Sequence, residues 1–290
     1  MKYAATAVLL GAVSTGCTIT VESHGEIVRE ERRFSVSGRP DVRVTTFDGS
    51  VQVQSWDRPE VLIEIEKRGA DRGAIERLEI HSTQNGNSIE LEVKRPARER
   101  LRMHRGAYAR LIVSLPRGAD VRARTGDGPI RLDGVEGRVE LRTGDGSVRV
   151  NDVSGELTVH TGDGAVTLTD VSGAVSVHTG DGSVSVAGRL EVVRLHTGDG
   201  SITCRAAPGS IMAANWEITT GDGAVSLYLP EEFGAELDAH TGDGRIVNEL
   251  QVEQAGGADR PRRVLRGRLG AGGRLLHVRT GDGAIRLRAN

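Results

Sequence analysis

The motif Thr-Gly-Asp-Gly occurs eight times in this chain of 290 residues, and the first five copies follow one another at a fixed interval. The first four intervals are 18 residues each, and the later ones are 23, 21 and 39 residues. A fixed period near 20 residues is typical of stacked-repeat proteins, which offer long repetitive surfaces rather than a single pocket. The copies begin at Thr125, Thr143, Thr161, Thr179, Thr197, Thr220, Thr241 and Thr280.

Within each period, apolar and polar residues alternate with the period of a β-strand and not of an α-helix. Turn residues separate the apolar runs, with Thr-Gly-Asp-Gly at one corner and a second turn such as Asp152-Val-Ser-Gly155 at the other. Gly and Asp are expected at both corners because they tolerate left-handed or locally hydrogen-bonded backbone. We therefore predict an all-β fold in which residues 117–290 form a β-solenoid. Each regular coil has 18 residues, two short strands and two turns, one of them Thr-Gly-Asp-Gly, and the intervals of 23, 21 and 39 residues contain extra loops. An antiparallel meander with the same inside/outside pattern is the alternative.

Equivalent apolar residues of successive coils would stack into a continuous core. Cys204 falls in the column of Val150 and Leu168, and Trp216 falls in the column of Leu157. Both are therefore expected inside. With Cys17 as the only other cysteine, no disulfide framework is expected. A last coil that ends at Asn290 would be exposed unless the segment before it covers it.

Residues 35–116 lack the 18-residue period but contain alternating runs, so we predict an irregular β-part that caps one end of the solenoid. Within it, Thr46-Phe-Asp-Gly49 looks like a degenerate copy of the repeated corner, and a short helix is possible around residues 71–78. Near the other end, residues 254–273 are rich in Gly and Arg, which favours a long loop.

The chain opens with one positive charge and a short apolar run, followed by Ser14-Thr-Gly-Cys17. This arrangement is typical of a secretory signal peptide, and the run is too short to span a bilayer. The Gly-Cys pair resembles a bacterial lipobox, although Ser14 stands where that motif prefers leucine. We predict a signal peptide at 1–16, lipidation of Cys17, a tether at 17–34, and an anchor on the extracytoplasmic side of the outer or cytoplasmic membrane. In the alternative, the protein is simply secreted and Cys17 is incidental or removed.

Several strings occur together with the ladder of corners. They are Asp41-Val-Arg-Val44, Ser55-Trp-Asp-Arg-Pro59, Leu115-Pro116, and Leu265–Gly273 leading into Thr280-Gly-Asp-Gly-Ala-Ile285. Together they resemble the bacterial DUF4097 family, also labelled adhesin-like and related to the toast-rack domains of envelope-stress proteins. The resemblance covers residues 35–290 and implies an extracytoplasmic solenoid-like β-fold. It implies no catalytic residue.

The Asp of each corner has two interpretations. Its carboxylate can accept hydrogen bonds from nearby backbone N–H groups, as in an Asx-turn, or the stacked carboxylates can bind a cation such as Ca²⁺. The turn role is favoured, because calcium-binding rolls use a different motif with additional ligands. The residues are Asp127, Asp145, Asp163, Asp181, Asp199, Asp222, Asp243 and Asp282.

A column of histidines precedes the corners at His160, His178, His196 and His240, with Arg124, Arg142 and Arg279 at the same position of other coils. Stacked imidazoles could bind a transition metal or gain charge together near about pH 6. Because arginines occupy the same column in other coils, a row of solvated polar side chains is favoured over a metal site or a pH-sensitive cluster.

Two basic clusters, within residues 94–105 and 260–268, could contact acidic head groups or anionic polysaccharide, although solvated loops are the simpler interpretation. Nucleic-acid binding is not expected, since the formal net charge is −2 and only 3% of residues are aromatic. The scarcity of aromatics also disfavours stacking on sugar rings.

No nucleophile elbow, zinc-protease motif or phosphate loop is present, and no catalytic, metal or cofactor residue is predicted. We predict a non-catalytic envelope lipoprotein, a structural or adhesin-like module that binds an envelope protein or polysaccharide. The outward rows Thr167, Ser185, Thr203 and Ser226 suit such a face. One alternative is an extracytoplasmic envelope-stress sensor or regulatory partner. A calcium-stabilised binding module is the other.

Overall fold

The computed structural model describes residues 20–23, 26–94, 107–253 and 263–290, and the regular elements in these ranges are β-strands apart from one short helix. The first strands are β1 (Thr20–Ser23), β2 (Glu26–Ser35), β3 (Asp41–Thr46), β4 (Val51–Trp56), β5 (Glu60–Arg68), β6 (Glu79–Asn85), β7 (Ser88–Lys94), β8 (Tyr108–Pro116) and β9 (Asp120–Arg124), with the helix α1 (Arg72–Glu76) before β6. The long strands are β10 (Ile130–Arg142), β11 (Val148–His160), β12 (Val166–Thr179) and β13 (Val184–Thr197). The remaining strands are β14 (Ile202–Ala206), β15 (Trp216–Thr220), β16 (Val225–Leu229), β17 (Ala235–Thr241), β18 (Ile246–Asn248), β19 (Val252–Glu253), β20 (Val264–Leu269), β21 (Leu275–Thr280) and β22 (Ile285–Ala289).

The long strands β10 to β13 pair in parallel, each with the strand that follows it in the chain. Ile130 aligns with Val148, and Val148 aligns with Val166. This register excludes the antiparallel meander here, because a meander would pair consecutive strands in opposite directions. The described chain is therefore an all-β protein with a long, mostly parallel sheet.

Each long strand bends once near its middle. In β11 the bend lies at Asp152, with φ of 52°, and Gly155, with φ of 120°. Two short strands with a turn between them were predicted, whereas the structure has one continuous strand of 13 residues. The strand continues because residues after the bend keep their partners in the next coil, as Val153 does with Val171.

The bend divides the stack into two faces that share one core. We call the first halves of β10–β13, together with β4, β8, β14, β16, β18 and β22, the front face. The second halves, together with β3, β7, β9, β15, β17 and β21, are the back face. Cys204 aligns with Val186 on the front face, and Cys204 and Trp216 are fully buried, as predicted. The Trp216 indole Nε1 donates to the carbonyl of Glu191 at 3.1 Å, so the buried indole N–H is paired.

Stacking order departs from chain order beyond β16. The strands β15 and β16 pair with β21 and β22, and β17 and β18 lie on the far side of those late strands. The coil formed by residues 275–289 therefore fills a slot between the coils of residues 216–229 and 235–248. The expectation of an exposed last coil at Asn290 is wrong, because this coil has a neighbour on both sides.

A similar exchange occurs at the other end. The strand β3 lies between β7 and β9, and β4 lies between β8 and β10. The corner between β3 and β4 thus lies directly beneath the first Thr-Gly-Asp-Gly, and the Thr125 Oγ1 hydroxyl donates to the carbonyl of Gly49 at 2.7 Å. The prediction that Thr46–Gly49 is a degenerate corner is confirmed.

Antiparallel strands close both ends of the stack. At one end β2 pairs with β5, β5 with β8, and β6 with β7; at the other, β20 pairs with β17 and β19. The strand β2 occupies much of the segment predicted as a tether. The strand β20 occupies part of the predicted 254–273 loop, whose residues 254–262 lie outside the described chain. These antiparallel strands end the parallel pairing.

The helix predicted around residues 71–78 is present as α1, and the Asp71 carboxylate accepts a hydrogen bond from the Ala74 amide at 2.7 Å as its N-cap. The parts of the chain that the structure describes contain no helix long and apolar enough to cross a membrane.

Candidate functional site

The stacked corners are held together by their threonine hydroxyls. Thr179 is fully buried, and its Oγ1 donates a shared hydrogen bond to the carbonyls of Gly162 at 3.0 Å and Gly164 at 3.3 Å. The same oxygen accepts from the Gly182 amide at 3.3 Å. One hydroxyl thus satisfies three backbone groups. Hydroxyl donation to two carbonyls of the corner stacked beside it recurs at Thr143, Thr161, Thr197, Thr220, Thr241 and Thr280.

The second glycine of each corner is required by close packing and not by its backbone angle. A Cβ atom on Gly182 would lie 2.1 Å from the carbonyl oxygen of Gly164. None of the glycines in the eight motifs has a left-handed φ. Left-handed conformations are found instead at the bends, as at Asp152 and Gly155. The glycines were therefore identified correctly from the sequence, but the reason expected for those in the Thr-Gly-Asp-Gly corners was wrong.

The Asp carboxylates of the corners are all exposed. No backbone N–H group of the described residues donates to any of them, because the threonine hydroxyl accepts the amide bond instead, as Thr161 Oγ1 does from Gly164 N at 3.2 Å. The Asx-turn prediction is therefore wrong for these corners. Nor does the described chain bring together three or more His, Cys, Asp or Glu side chains in an arrangement that could hold a metal ion.

Three histidines form a contiguous ladder on the back face. The ring centroids of His160 and His178 are 6.2 Å apart with the planes tilted by 49°, and those of His178 and His196 are 4.9 Å apart and nearly parallel at 9°. Partial burial lowers the pKa of His160, and the nearby Arg142 and His178 add to this effect while Glu140 opposes it.

His240 does not continue this ladder. His196 aligns with Thr219, Thr219 with Arg279, and Arg279 with His240. The interleaved order of the last coils places two other side chains between His196 and His240, so the predicted column of four histidines contains three neighbours and one separate residue.

Most back-face arginines are paired with carboxylates. Glu140 is approached by Arg142 at 2.7 Å, Arg124 at 3.5 Å and Arg122 at 3.6 Å. These exposed or half-exposed pairs set a pattern of alternating charge and contribute little stability individually. Further pairs on or beside this face are Arg39–Asp120, Arg43–Asp41, Arg138–Glu156 and Arg266–Asp238.

The front face presents an aligned row of polar side chains. Thr167 aligns with Ser185, Ser185 with Thr203, and Thr203 with Ser226, as predicted for outward positions. The polar part of this row, which we call the front row, lies between Ile112 at one end and Val247 at the other. It runs through Gln52, Arg131, Arg149, Thr167, Ser185, Thr203, Ser226 and Arg286.

A shallow groove with a cavity volume of about 340 Å³ follows the front row at its N-terminal half, with Gln54, Asn151 and Thr169 along its side. The arginines of this row were not singled out from the sequence. The signal was present, because Arg131, Arg149 and Arg286 are each the third residue after a Thr-Gly-Asp-Gly.

Of the lipidation site and the two basic clusters predicted from the sequence, only part lies within the residues that the structure describes. Cys17 and most of the first basic cluster lie outside the described residues, although Lys94 lies 3.0 Å from Glu92. In the second cluster, Arg263 pairs with Asp243 at 3.1 Å, and Arg268 pairs with Glu253.

The buried thiol of Cys204 has no described acidic or basic partner, and burial raises its pKa to about 12. A thiol with this pKa is almost entirely protonated at neutral pH, and the thiolate is the nucleophilic form. Cys204 is therefore a core residue and not a nucleophile.

Comparison with known proteins identifies the family. The toastrack DUF4097 family model matches residues 41–288. The chain belongs to the toastrack DUF4097 family. Its matched region includes both interleaved ends as well as the regular coils. No curated protein matches this toastrack chain.

Two crystal structures are similar to this toastrack chain at 12% sequence identity. One, described as a putative cell adhesion protein from Clostridium sporogenes, covers 90% of this chain and 100% of its own, with a TM-score of 0.31. The other, described as a putative adhesin from Bacteroides fragilis, covers 89% of this chain and 96% of its own, with a TM-score of 0.36.

Proposed function

We propose that this protein is a non-catalytic, lipid-anchored binding module of the bacterial cell envelope, adhesin-like in action, which engages its partner along the front face. The observation that carries the proposal is the alignment of the front row through eight successive levels of one rigid stack. Side chains repeated at a regular spacing can make many weak contacts in series with an extended partner. The buried threonine ladder keeps that spacing fixed.

The proposal of a lipid anchor rests on the first residues of the chain. A signal peptide ending at residue 16 would leave Cys17 at the N-terminus, where acylation attaches it to a membrane. Few residues then separate Cys17 from β1 at Thr20, so the stack would lie close to the membrane surface. Tethering raises the effective concentration of the front face for partners at that surface.

The anchor is tested with the full chain expressed in a bacterial host fed with an alkyne-labelled fatty acid. We expect the natural chain to incorporate label and to fractionate with membranes. Cys17→Ala is expected to lose both properties, and the matched control Cys204→Ala is expected to retain them. Equal labelling and equal membrane retention of the natural chain and Cys17→Ala would reject the lipid anchor.

Binding is tested separately with the full-length Cys17→Ala protein, purified without lipid. It is mixed with isolated cell-envelope fractions and sedimented, and an unrelated protein of similar charge serves as the control. We expect saturable retention on the envelope material. If the protein stays in the supernatant at all envelope concentrations, the binding role is rejected whatever the outcome for the anchor.

A further inference from the structure

Two adjacent arginines of the front row lack the carboxylate partners that most back-face arginines have. Arg131 and Arg149 align in neighbouring coils, and both are exposed. Neither forms an ion pair with a described residue; the contact of Arg149 is a hydrogen bond from Nη1 to the Ser147 hydroxyl at 3.1 Å. The back face, in contrast, places three arginines around Glu140 alone.

Two like charges in adjacent coils repel each other. Neighbouring strands are about 4.8 Å apart, and side chains in register point the same way. An anion that binds between Arg131 and Arg149 would remove this repulsion and could accept hydrogen bonds from both guanidinium groups. Guanidinium is well suited to this, because its planar donors match a carboxylate.

The groove beside these arginines carries groups that hydrogen-bond to sugars. Gln54, Asn151, Thr167 and Thr169 line it with amides and hydroxyls. Its one carboxylate, Asp133, accepts a hydrogen bond from the Asn151 amide at 2.7 Å. The groove therefore offers a cationic pair, neutral polar groups and a single opposing charge.

The row continues along the stack to a third arginine. Between Arg149 and the half-buried Arg286 lie four small hydroxyl side chains, one from each coil. At about 4.8 Å for each level, the spacing is close to the length of one sugar unit in an extended chain. The eight side chains of the front row are polar, and only the half-buried Ile112 and Val247 continue its register beyond the two ends. The row itself therefore has no exposed large apolar side chain to insert into a lipid bilayer.

We propose that the front row binds a linear anionic polysaccharide whose sugars carry carboxylates, with Arg131 and Arg149 holding the acidic groups. The proposal rests on the binding role proposed above and assigns it a ligand class and a surface. Recognition by arginines and hydroxyls needs no aromatic platform, which removes the objection that this chain has few exposed aromatics.

The test uses the full-length Cys17→Ala protein and polygalacturonate as the probe, with neutral dextran for comparison. Affinity is measured by isothermal titration at low and physiological salt. We expect binding to polygalacturonate only, weakened by salt because exposed charges are screened. The variant Arg131→Gln/Arg149→Gln is expected to lose about tenfold or more in affinity.

A matched control removes two back-face charges, Arg138→Gln/Arg142→Gln, and is expected to leave the affinity within about twofold. A third variant, Asp133→Asn, is expected to change the affinity in the opposite direction. It removes the one carboxylate of the groove, so the affinity should increase by about two- to threefold. Circular dichroism of every variant confirms that the fold is retained.

Equal losses in the front-face and back-face double variants would overturn the proposal, because binding would then follow net charge and not this surface. No binding of polygalacturonate, or binding of phosphatidylglycerol vesicles or an acidic protein through the same arginines in its place, would also overturn it. If the protein sediments with envelope material but does not bind polygalacturonate, the binding module stands and only the ligand class fails.

Discussion

The middle of the stack and its two ends use the same corner but connect it differently. In the middle, Thr179 donates to a carbonyl only 15 residues away in sequence, at Gly164. At the ends, Thr280 donates to Gly223 across 57 residues, and Thr125 donates to Gly49 across 76. The local contact is the same in all three cases, whereas the chain that must be closed to make it is much longer at the ends.

Corner chemistry therefore does not set the stacking order. Every corner offers the same carbonyls and hydroxyl, so any corner can stack on any other. In the middle, a short connection selects the next coil. At the ends, antiparallel partners such as β20 on β17 hold an outer coil in place, and a coil distant in sequence occupies the slot beneath it. Regions of local contact fold by propagation, whereas distant pairing makes a cooperative unit.

The largest effect is expected from removing the inserted coil. A chain that ends at Gly273 lacks β21 and β22, so β15 and β16 lose their partners on one side and β17 and β18 lose theirs on the other. We expect hydrogen exchange to show loss of amide protection from β15 to β18 while β10 to β13 remain protected. Protection that persists in β17 would mean that the outer coil closes the gap by itself, and the interleaved end would not be a cooperative unit.

A smaller effect on stability is expected from adding a methyl group to a glycine of a Thr-Gly-Asp-Gly corner. In Gly182→Ala, the new Cβ would lie 2.1 Å from a carbonyl of the coil below, in the rigid middle. We expect a loss of about 3 kcal/mol of unfolding free energy, since neither neighbour can move away. Gly244→Ala creates a similar clash of 2.0 Å in the outermost corner, where the coil can shift, so about half that loss is expected.

Gly118 serves as the control, because a Cβ added there would meet no neighbouring atom within 4 Å, and little change is expected in Gly118→Ala. Urea denaturation of the three variants gives the comparison. Equal losses at positions 182 and 244 would show that the outermost corner is as rigid as the middle.

Removing one corner hydroxyl comes next in magnitude. Thr179→Val keeps the shape but leaves two carbonyls and the Gly182 amide without their buried partner, so we expect a loss of about 2 kcal/mol. Thr125→Val removes a hydroxyl that donates to one described carbonyl, that of Gly49, and about 1 kcal/mol is expected. Denaturant titration measures both, and a larger loss at Thr125 would reverse the ranking of the two regions.

The smallest effect concerns pH. The pKa of His160 is lowered in the folded protein, mainly by burial, so the unfolded chain binds its proton more readily. Stability from this group is complete above the unfolded pKa of about 6.5 and falls as the pH drops through the lower folded value. We expect His160→Gln to reduce the loss of stability between neutral and acidic pH slightly. An NMR titration in which His160 shows a raised pKa would contradict this.

The regular coils could be predicted from sequence because each of their features repeats at a fixed distance. The alternation of apolar and polar residues placed Cys204 and Trp216 in the core. The resemblance of Thr46–Gly49 to the Thr-Gly-Asp-Gly corner was sufficient to place that segment in the fold. The bend at Asp152 was recognised as a turn, but its continuity with the strands on either side depends on pairing with the next coil, which the residues alone do not show.

The interleaved ends could not be predicted in the same way, because identical corners carry no information about order. The same limit applies to His240, whose neighbours are set by the inserted coil. The site was missed for another reason. Arg131 and Arg149 follow the repeat, but arginine is common in the outward columns of this chain, and only the structure separates arginines with nearby carboxylates from those without.

The inserted coil also affects the time at which the protein can finish folding during synthesis. Coils in the middle can form as soon as each leaves the ribosome, since each stacks on one already made. Residues 235–248, in contrast, emerge before the coil on which they pack. At synthesis rates of about 5–20 residues per second, they wait on the order of 2–8 seconds for residues 275–289. During that interval the newest part of the chain remains open to chaperones and proteases, even though the first coils are already closed.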